Sequence, residues 1–194
     1  WKTNTDKINL TSKLSIAADQ RHTKHTITSS IAIQGLCTGI VKQKNTEVYR
    51  KQSTNKKWAY LATYGKQSLV PDQLGMAIFY QTTTIEKEED AEFDYLLLFK
   101  PTTKAVDFYF LGAWEQEPNG IKSKEAFITY LDEKLKNLET EVSGSEIKRP
   151  ENWGGFLVKP VEVEFWQGRA NRLHDRIRYK LEADFSWKID RLSP

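Results

Sequence analysis

Cysteine is nearly absent from this sequence. Cys37 stands alone among 194 residues, which rules out an intrachain disulfide and a cysteine-built metal cluster. A lone cysteine beside Leu36 is expected to be buried and inert. No apolar run approaches the roughly 18 residues that a membrane-spanning helix needs, and no signal peptide is visible. Glycine-rich phosphate loops, a zinc-protease helix and a nucleophile elbow are all missing, as are internal repeats and low-complexity segments. Charge of one sign is not in excess either. A net charge of +3 with 28% charged residues carries no general nucleic-acid or membrane role. The chain opens on Trp1 in place of Met, which reads as a fragment or processed product, so compartment is left open.

What is present is β-patterned. Leu14-Ser15-Ile16, Thr26-Ile27-Thr28 and Ile31-Ala32-Ile33 alternate with period two between polar turns. Leu36-Cys37-Thr38 with Ile40-Val41, Glu47 to Arg50, Trp58 to Tyr64, Gly75 to Tyr80, Phe93 to Phe99 and Ala105 to Trp114 are further strand candidates. The continuous runs Tyr95 to Phe99 and Phe108 to Leu111 predict central strands covered on both faces, joined by the hairpin-length Pro101-Thr102-Thr103-Lys104. One helix follows. Ser123 suits its cap and Glu125 its first turn, while Phe127, Leu131, Leu135 and Leu138 recur along one face. The expected class is mainly β (α+β): an antiparallel β-sandwich-like N-terminal region, one amphipathic helix, then a small antiparallel C-terminal β module. The expected division is 1–122, a connecting helix at 123–142, and 143–194, with strands through Phe156-Leu157-Val158 and Phe185 to Ile189 after a turn at Pro150.

Chemistry concentrates near the end, from Glu164 to Lys180. On an extended strand Arg172, His174, Arg176, Arg178 and Lys180 share one side, with Leu173, Ile177, Tyr179 and Leu181 packed inward on the other. Only Asp175 is a nearby acid in sequence. Guanidinium groups bind phosphate through paired, geometrically fixed hydrogen bonds, so the row suits a phosphorylated ligand; surface ion pairs are the alternative. Trp166 offers a flat apolar surface with one N–H, suited either to lie beside a ring system or to fill a core. His174 is a ligand for such a compound or a hydrogen-bonded structural histidine.

Glu164-Phe165-Trp166-Gln167-Gly168, then Arg172-Leu173-His174-Asp175-Arg176, then Arg191-Leu192-Ser193-Pro194 resemble the C-terminal signature of the pyridoxamine 5'-phosphate oxidase family. Arg149 to Phe156 resembles that family's approach to the segment. The resemblance covers the chain from about Leu131 onward. It implies an oxidoreductase in which Trp166 and Arg176 contact flavin mononucleotide (FMN), while Arg172, Leu173 and His174 contact pyridoxamine or pyridoxine 5'-phosphate. It also implies a homodimer and oxidation to pyridoxal 5'-phosphate. The family's N-terminal flavin-binding half is not recognisable here; Tyr64-Gly65-Lys66-Gln67-Ser68 is the nearest stretch and does not match it.

The N-terminal part instead resembles an uncharacterised bacterial family associated with polysaccharide degradation. The stretches that carry this are Gly39 to Lys42, Ala62 to Ser68, Leu74 to Ala77 and Ala113-Trp114-Glu115. The alternative it implies is a carbohydrate-associated β-sandwich with a non-catalytic C-terminal module. The compartment would be cytoplasmic on the first reading and periplasmic or secreted on the second. Trp114, Glu115 and Glu117 are candidates to border a sugar, with a core tryptophan as the plainer reading. His22 and His25 have no third ligand in register and read as exposed strand histidines. Glu86 to Asp90 reads as a solvated polar connection.

Overall fold

Alternation between apolar and charged side chains builds the first unit in layers. The computed structural model describes residues 7–70, 72–141, 159–167 and 175–193. It divides into two compact units, Trp1–Ser145 and Glu146–Pro194. Among the described residues the first holds nine strands: β1 (Leu10–Ile16), β2 (His22–Ser29), β3 (Cys37–Val41), β4 (Thr46–Gln52), β5 (Trp58–Lys66), β6 (Gln73–Gln81), β7 (Ile85–Asp90), β8 (Asp94–Phe99) and β9 (Val106–Trp114). These precede the helix α1 (Lys124–Glu141). A six-stranded antiparallel sheet runs β1-β2-β9-β6-β5-β4, and a three-stranded one runs β3-β8-β7.

Strand β5 sits between two apolar layers. Trp58, Tyr60, Ala62 and Tyr64 point to α1 and meet Phe127, Leu131, Leu135 and Leu138. Ala59 and Leu61 point the other way, into a second core shared with Ile40, Leu97 and Phe99 of the smaller sheet. Burying the four helix side chains contributes about 1.5–3 kcal/mol each, far more than the helix's intrinsic propensity supplies. The Ser123 hydroxyl accepts the N–H of Ala126 at 3.2 Å and caps the helix, as its position before the apolar run predicts. Gly75 on β6 lets α1 approach: a Cβ there would lie 2.4 Å from a ring carbon of Phe127.

The expected mainly β architecture with one helix and antiparallel sheets is borne out. Several local expectations are corrected. Ile31 to Ile33 is not a strand. Strands β8 and β9 do not form a hairpin, because Pro101 to Lys104 carries the chain from the small sheet to the large one, where β9 lies between β2 and β6. The strands buried on both faces are β5 and β6; Phe110 of β9 is 38% exposed. Cys37 is exposed.

The acidic run is strand β7, not a connection. Its charge is used between sheets: Arg50 of β4 pairs with Glu88 at 3.3 Å and with Asp90, and Tyr80 donates its hydroxyl proton to Glu88. His22 and His25 lie half-buried on β2, against Tyr109 and Phe108 respectively, and no metal-binding group of side chains occurs among the described residues. The expected strand at Phe156 to Val158 and turn at Pro150 lie outside the described residues.

Among its described residues the second unit forms a three-stranded antiparallel meander, β10 (Glu162–Gln167), β11 (Asp175–Leu181) and β12 (Trp187–Leu192). Phe185, expected inside the last strand, instead has φ 63° in the turn before it; its N–H bonds the Glu182 carbonyl at 3.0 Å.

Candidate phosphate-binding face of the C-terminal sheet

Register decides which side chains meet. Trp166 lies opposite Arg176 and Glu164 opposite Arg178, and β12 brings Leu192 and Asp190 to the same two arginines. Arg176, Arg178 and Lys180 therefore share a face with Trp166, Glu164, Glu162, Asp190 and Lys188. The other face carries Phe165, Val163, Ile177, Tyr179, Ile189 and Trp187.

Arg176 is held from three directions. Its Nε donates to Glu164 Oε1 at 2.5 Å, its Nη1 donates to the Ser193 carbonyl at 3.1 Å, and its guanidinium carbon lies 4.5 Å from the centroid of the Trp166 ring. The hydrogen bond to Glu164 raises the arginine's pKa further and outweighs the cost of desolvation, so the charge is permanent. Trp166 is 60% exposed, which leaves its indole on the surface beside that cation. Nη2 of Arg176 has no partner among the described residues.

Arg178 is held by one ion pair, and its Nε has no hydrogen-bond partner among the described residues. Its Nη2 donates to Asp190 at 3.1 Å, and that bond, with further help from Lys188, holds the Asp190 carboxyl below the usual range. The view that only Asp175 offsets the cationic row is thus corrected. Glu164 and Asp190 are each twelve residues away in sequence but adjacent across the sheet. Hairpin pairing of β10 and β12 onto β11 was the signal that would have found them.

Of the residues singled out from sequence, Trp166 and Arg176 come together. Arg172, Leu173 and His174 lie outside the described residues. The apolar face, expected to be packed inward, is largely open: Phe165 and Ile189 are each 58% exposed. Among the described residues of this unit no second layer covers that face. In the first unit, Trp114 is 40% exposed and not in the core, with its indole N–H donated to Asp72 at 2.7 Å. The carboxylates beside it are engaged: Glu115 accepts the N–H of Gln73 at 2.9 Å, and Glu117 pairs with Arg21 at 2.7 Å.

Comparison with known families divides the chain in two. Residues 1–143, most of the chain, match the family described as a domain of unknown function, DUF4861. The chain belongs to the DUF4861 family. Residues 153–194 of this DUF4861 member match the pyridoxine 5'-phosphate oxidase C-terminal dimerisation region, so the resemblance drawn from the C-terminal motifs is borne out.

Curated relatives carry the name pyridoxine/pyridoxamine 5'-phosphate oxidase. One from Flavobacterium psychrophilum is 58% identical over 92 residues, covering 43% of each chain. A second, from Flavobacterium johnsoniae, is 68% identical over 65 residues, covering 34% of this chain and 30% of its own. A third, from a Nostoc species, is 40% identical over 111 residues, covering 57% of this chain and 48% of its own. The DUF4861 chain thus spans less than half the length of each of these relatives. No solved structure matches it.

Proposed function

We propose that the C-terminal unit is an oxidase-type module that contributes one side of a site for FMN and for pyridoxamine or pyridoxine 5'-phosphate. The observation that carries the reading is the Arg176–Trp166 pair, a cation fixed by Glu164 and the Ser193 carbonyl beside an exposed indole. A phosphorylated ring compound asks for that combination, a fixed cation with the Nη2 amino group left to donate to the anion and a flat apolar surface for the ring. The names of the relatives support the same chemistry.

On this reading Trp166 and Arg176 hold FMN, while Arg172, Leu173 and His174 hold the vitamin B6 phosphate. Arg176 keeps its charge at any working pH because Glu164 stabilises the cation. Asp190 keeps Arg178 from competing for the same anion. Bound FMN would supply the two-electron acceptor that converts substrate to pyridoxal 5'-phosphate, and the protein's part is binding and orientation. The module runs from residue 143, past α1, to the end of the chain. It functions as a homodimer in which the open apolar face, with Phe165, Ile177 and Ile189, is covered by a second copy. The remaining flavin contacts come from outside the described strands of this unit.

The test is titration of the full chain with FMN, read by quenching of flavin fluorescence. Binding that weakens tenfold or more in Arg176→Ala is the expected result, since a hydrogen bond to a charged group contributes about 1.5–3 kcal/mol. Wild-type protein that leaves FMN fluorescence unchanged, or an alanine variant that binds as well as wild type, rules the proposal out.

A further inference from the structure

A second region of interest lies in the first unit, where three separate connections converge. The start of β4, the end of β5 and the residues leading into α1 enclose an open cleft of about 720 Å³. That volume is within the range of small-molecule sites. Lys44, Lys66, Lys122 and Lys124 line it against one acid, Glu47. Glu47 is already spent: it accepts from Lys124 Nζ at 2.6 Å and from the Tyr49 hydroxyl at 2.8 Å. Lys44, Lys66 and Lys122 make no ion pair with the described residues. Four lysines against one lining acid, itself already paired, repel one another, and a bound anion would relieve that repulsion.

Two further features point to a ligand. Tyr64, only 7% exposed, lines the cleft, and its hydroxyl has no hydrogen-bond partner among the described residues. Burial, with the charges of Glu115 and Glu125, pushes the phenol's pKa up, so the group stays protonated and can donate. Orphaned buried donors are rare in folded proteins, and one beside a cluster of lysines asks for an acceptor. The positive end of the α1 dipole opens at the same rim, at Ser123.

We propose that this cleft binds a small oxyanion, a polycarboxylate or a phosphate compound, through Lys44, Lys66 and Lys122, with the Tyr64 hydroxyl as the neutral donor. The site is built wholly from the first unit and is independent of the flavin reading of the second.

Calorimetric titration of the full chain with citrate and, separately, with inorganic pyrophosphate tests it. One of the two should bind with a dissociation constant at or below about 1 mM, and whichever binds identifies the anion's chemistry. The paired change Lys44→Gln with Lys66→Gln should weaken that binding about tenfold, and Tyr64→Phe about threefold, each corresponding to loss of a charge-assisted or neutral hydrogen bond. The paired change Lys13→Gln with Lys104→Gln, placed elsewhere on the surface, should leave it unaltered. All the lysines concerned are exposed, so folding is not at stake in those variants. Failure of both anions to bind, or equal losses in the two lysine pairs, overturns the proposal. Because Arg176 plays no part in the cleft, Arg176→Ala should retain the anion bound there even if it loses FMN.

Discussion

Replacing Gly75 by alanine is an instructive perturbation, because two principles give it opposite signs. In a strand interior, glycine costs roughly 0.5–1 kcal/mol relative to alanine, so the change would ordinarily stabilise. Here the added Cβ would stand 2.4, 2.6 and 2.7 Å from three ring carbons of Phe127, a side chain with no exposure that also stacks on Tyr64 at 5.3 Å. The ring cannot swing out without leaving its place between β6 and Tyr64. Overpacking of this kind costs about 1–3 kcal/mol. Gly75→Ala is therefore expected to destabilise the first unit by up to about 2.5 kcal/mol, the steric cost less the backbone gain. Phe127→Ala alone should cost about 3–5 kcal/mol.

With the ring gone the clash vanishes, so the double variant should be less destabilised than the sum of the two by about 1–3 kcal/mol. Urea unfolding followed by circular dichroism at 222 nm reports on this unit, since α1 is the only α-helix among the described residues. Additivity to within about 0.5 kcal/mol would refute the packing argument. So would a Gly75→Ala protein more stable than wild type.

Three further outcomes are expected. Burial, with Lys134 adding to it, lowers the His22 pKa from 6.5 to about 4, so the unfolded chain binds the proton more readily. The stability this contributes is full above about pH 6.5 and falls as pH drops toward 4; denaturation midpoints across that window should decline, and less steeply in His22→Gln. Ser123→Ala removes the bond to the Ala126 N–H and should lower stability by about 1 kcal/mol in the same urea assay, whereas an unchanged midpoint would mean the cap is idle. Phe165→Glu with Ile189→Glu puts charge on the open face of the C-terminal sheet. Sedimentation velocity should show a dimer for wild type and a monomer for this variant, and a variant that still dimerises would place the contact elsewhere.

Sequence made the helix and most strands of the first unit legible, because their burial is one-sided and leaves a period. Phe127, Leu131, Leu135 and Leu138 are all buried, at the spacing that marks a helix face. Strand β7 was not legible: an edge strand with four acids and one lysine among its six residues buries little, and its ion pairs with Arg50 depend on a neighbour about forty residues away. Pairing across sheets was equally hidden. The Pro101 to Lys104 connection has a hairpin's length, but its two strands bury their apolar faces in different sheets. At the C-terminal face, Trp166 and Arg176 were found through motif and alternation, while their carboxylate partners required the strand register. The lysine cleft had no sequence signature, since its residues come from three separate connections, and only the fold gathers them.

Strand β9 carries a consequence for biosynthesis. It lies between the β1–β2 hairpin and the β6-β5-β4 meander, yet it leaves the ribosome last of the six. The nascent hairpin, complete by Ser29, must wait for some eighty residues before Val106–Trp114 emerges to stitch it to the rest. The inner edge of β2 is unsatisfied throughout that interval and that of β6 from Gln81 onward, the condition under which a growing chain is most open to wrong partners and to chaperone capture.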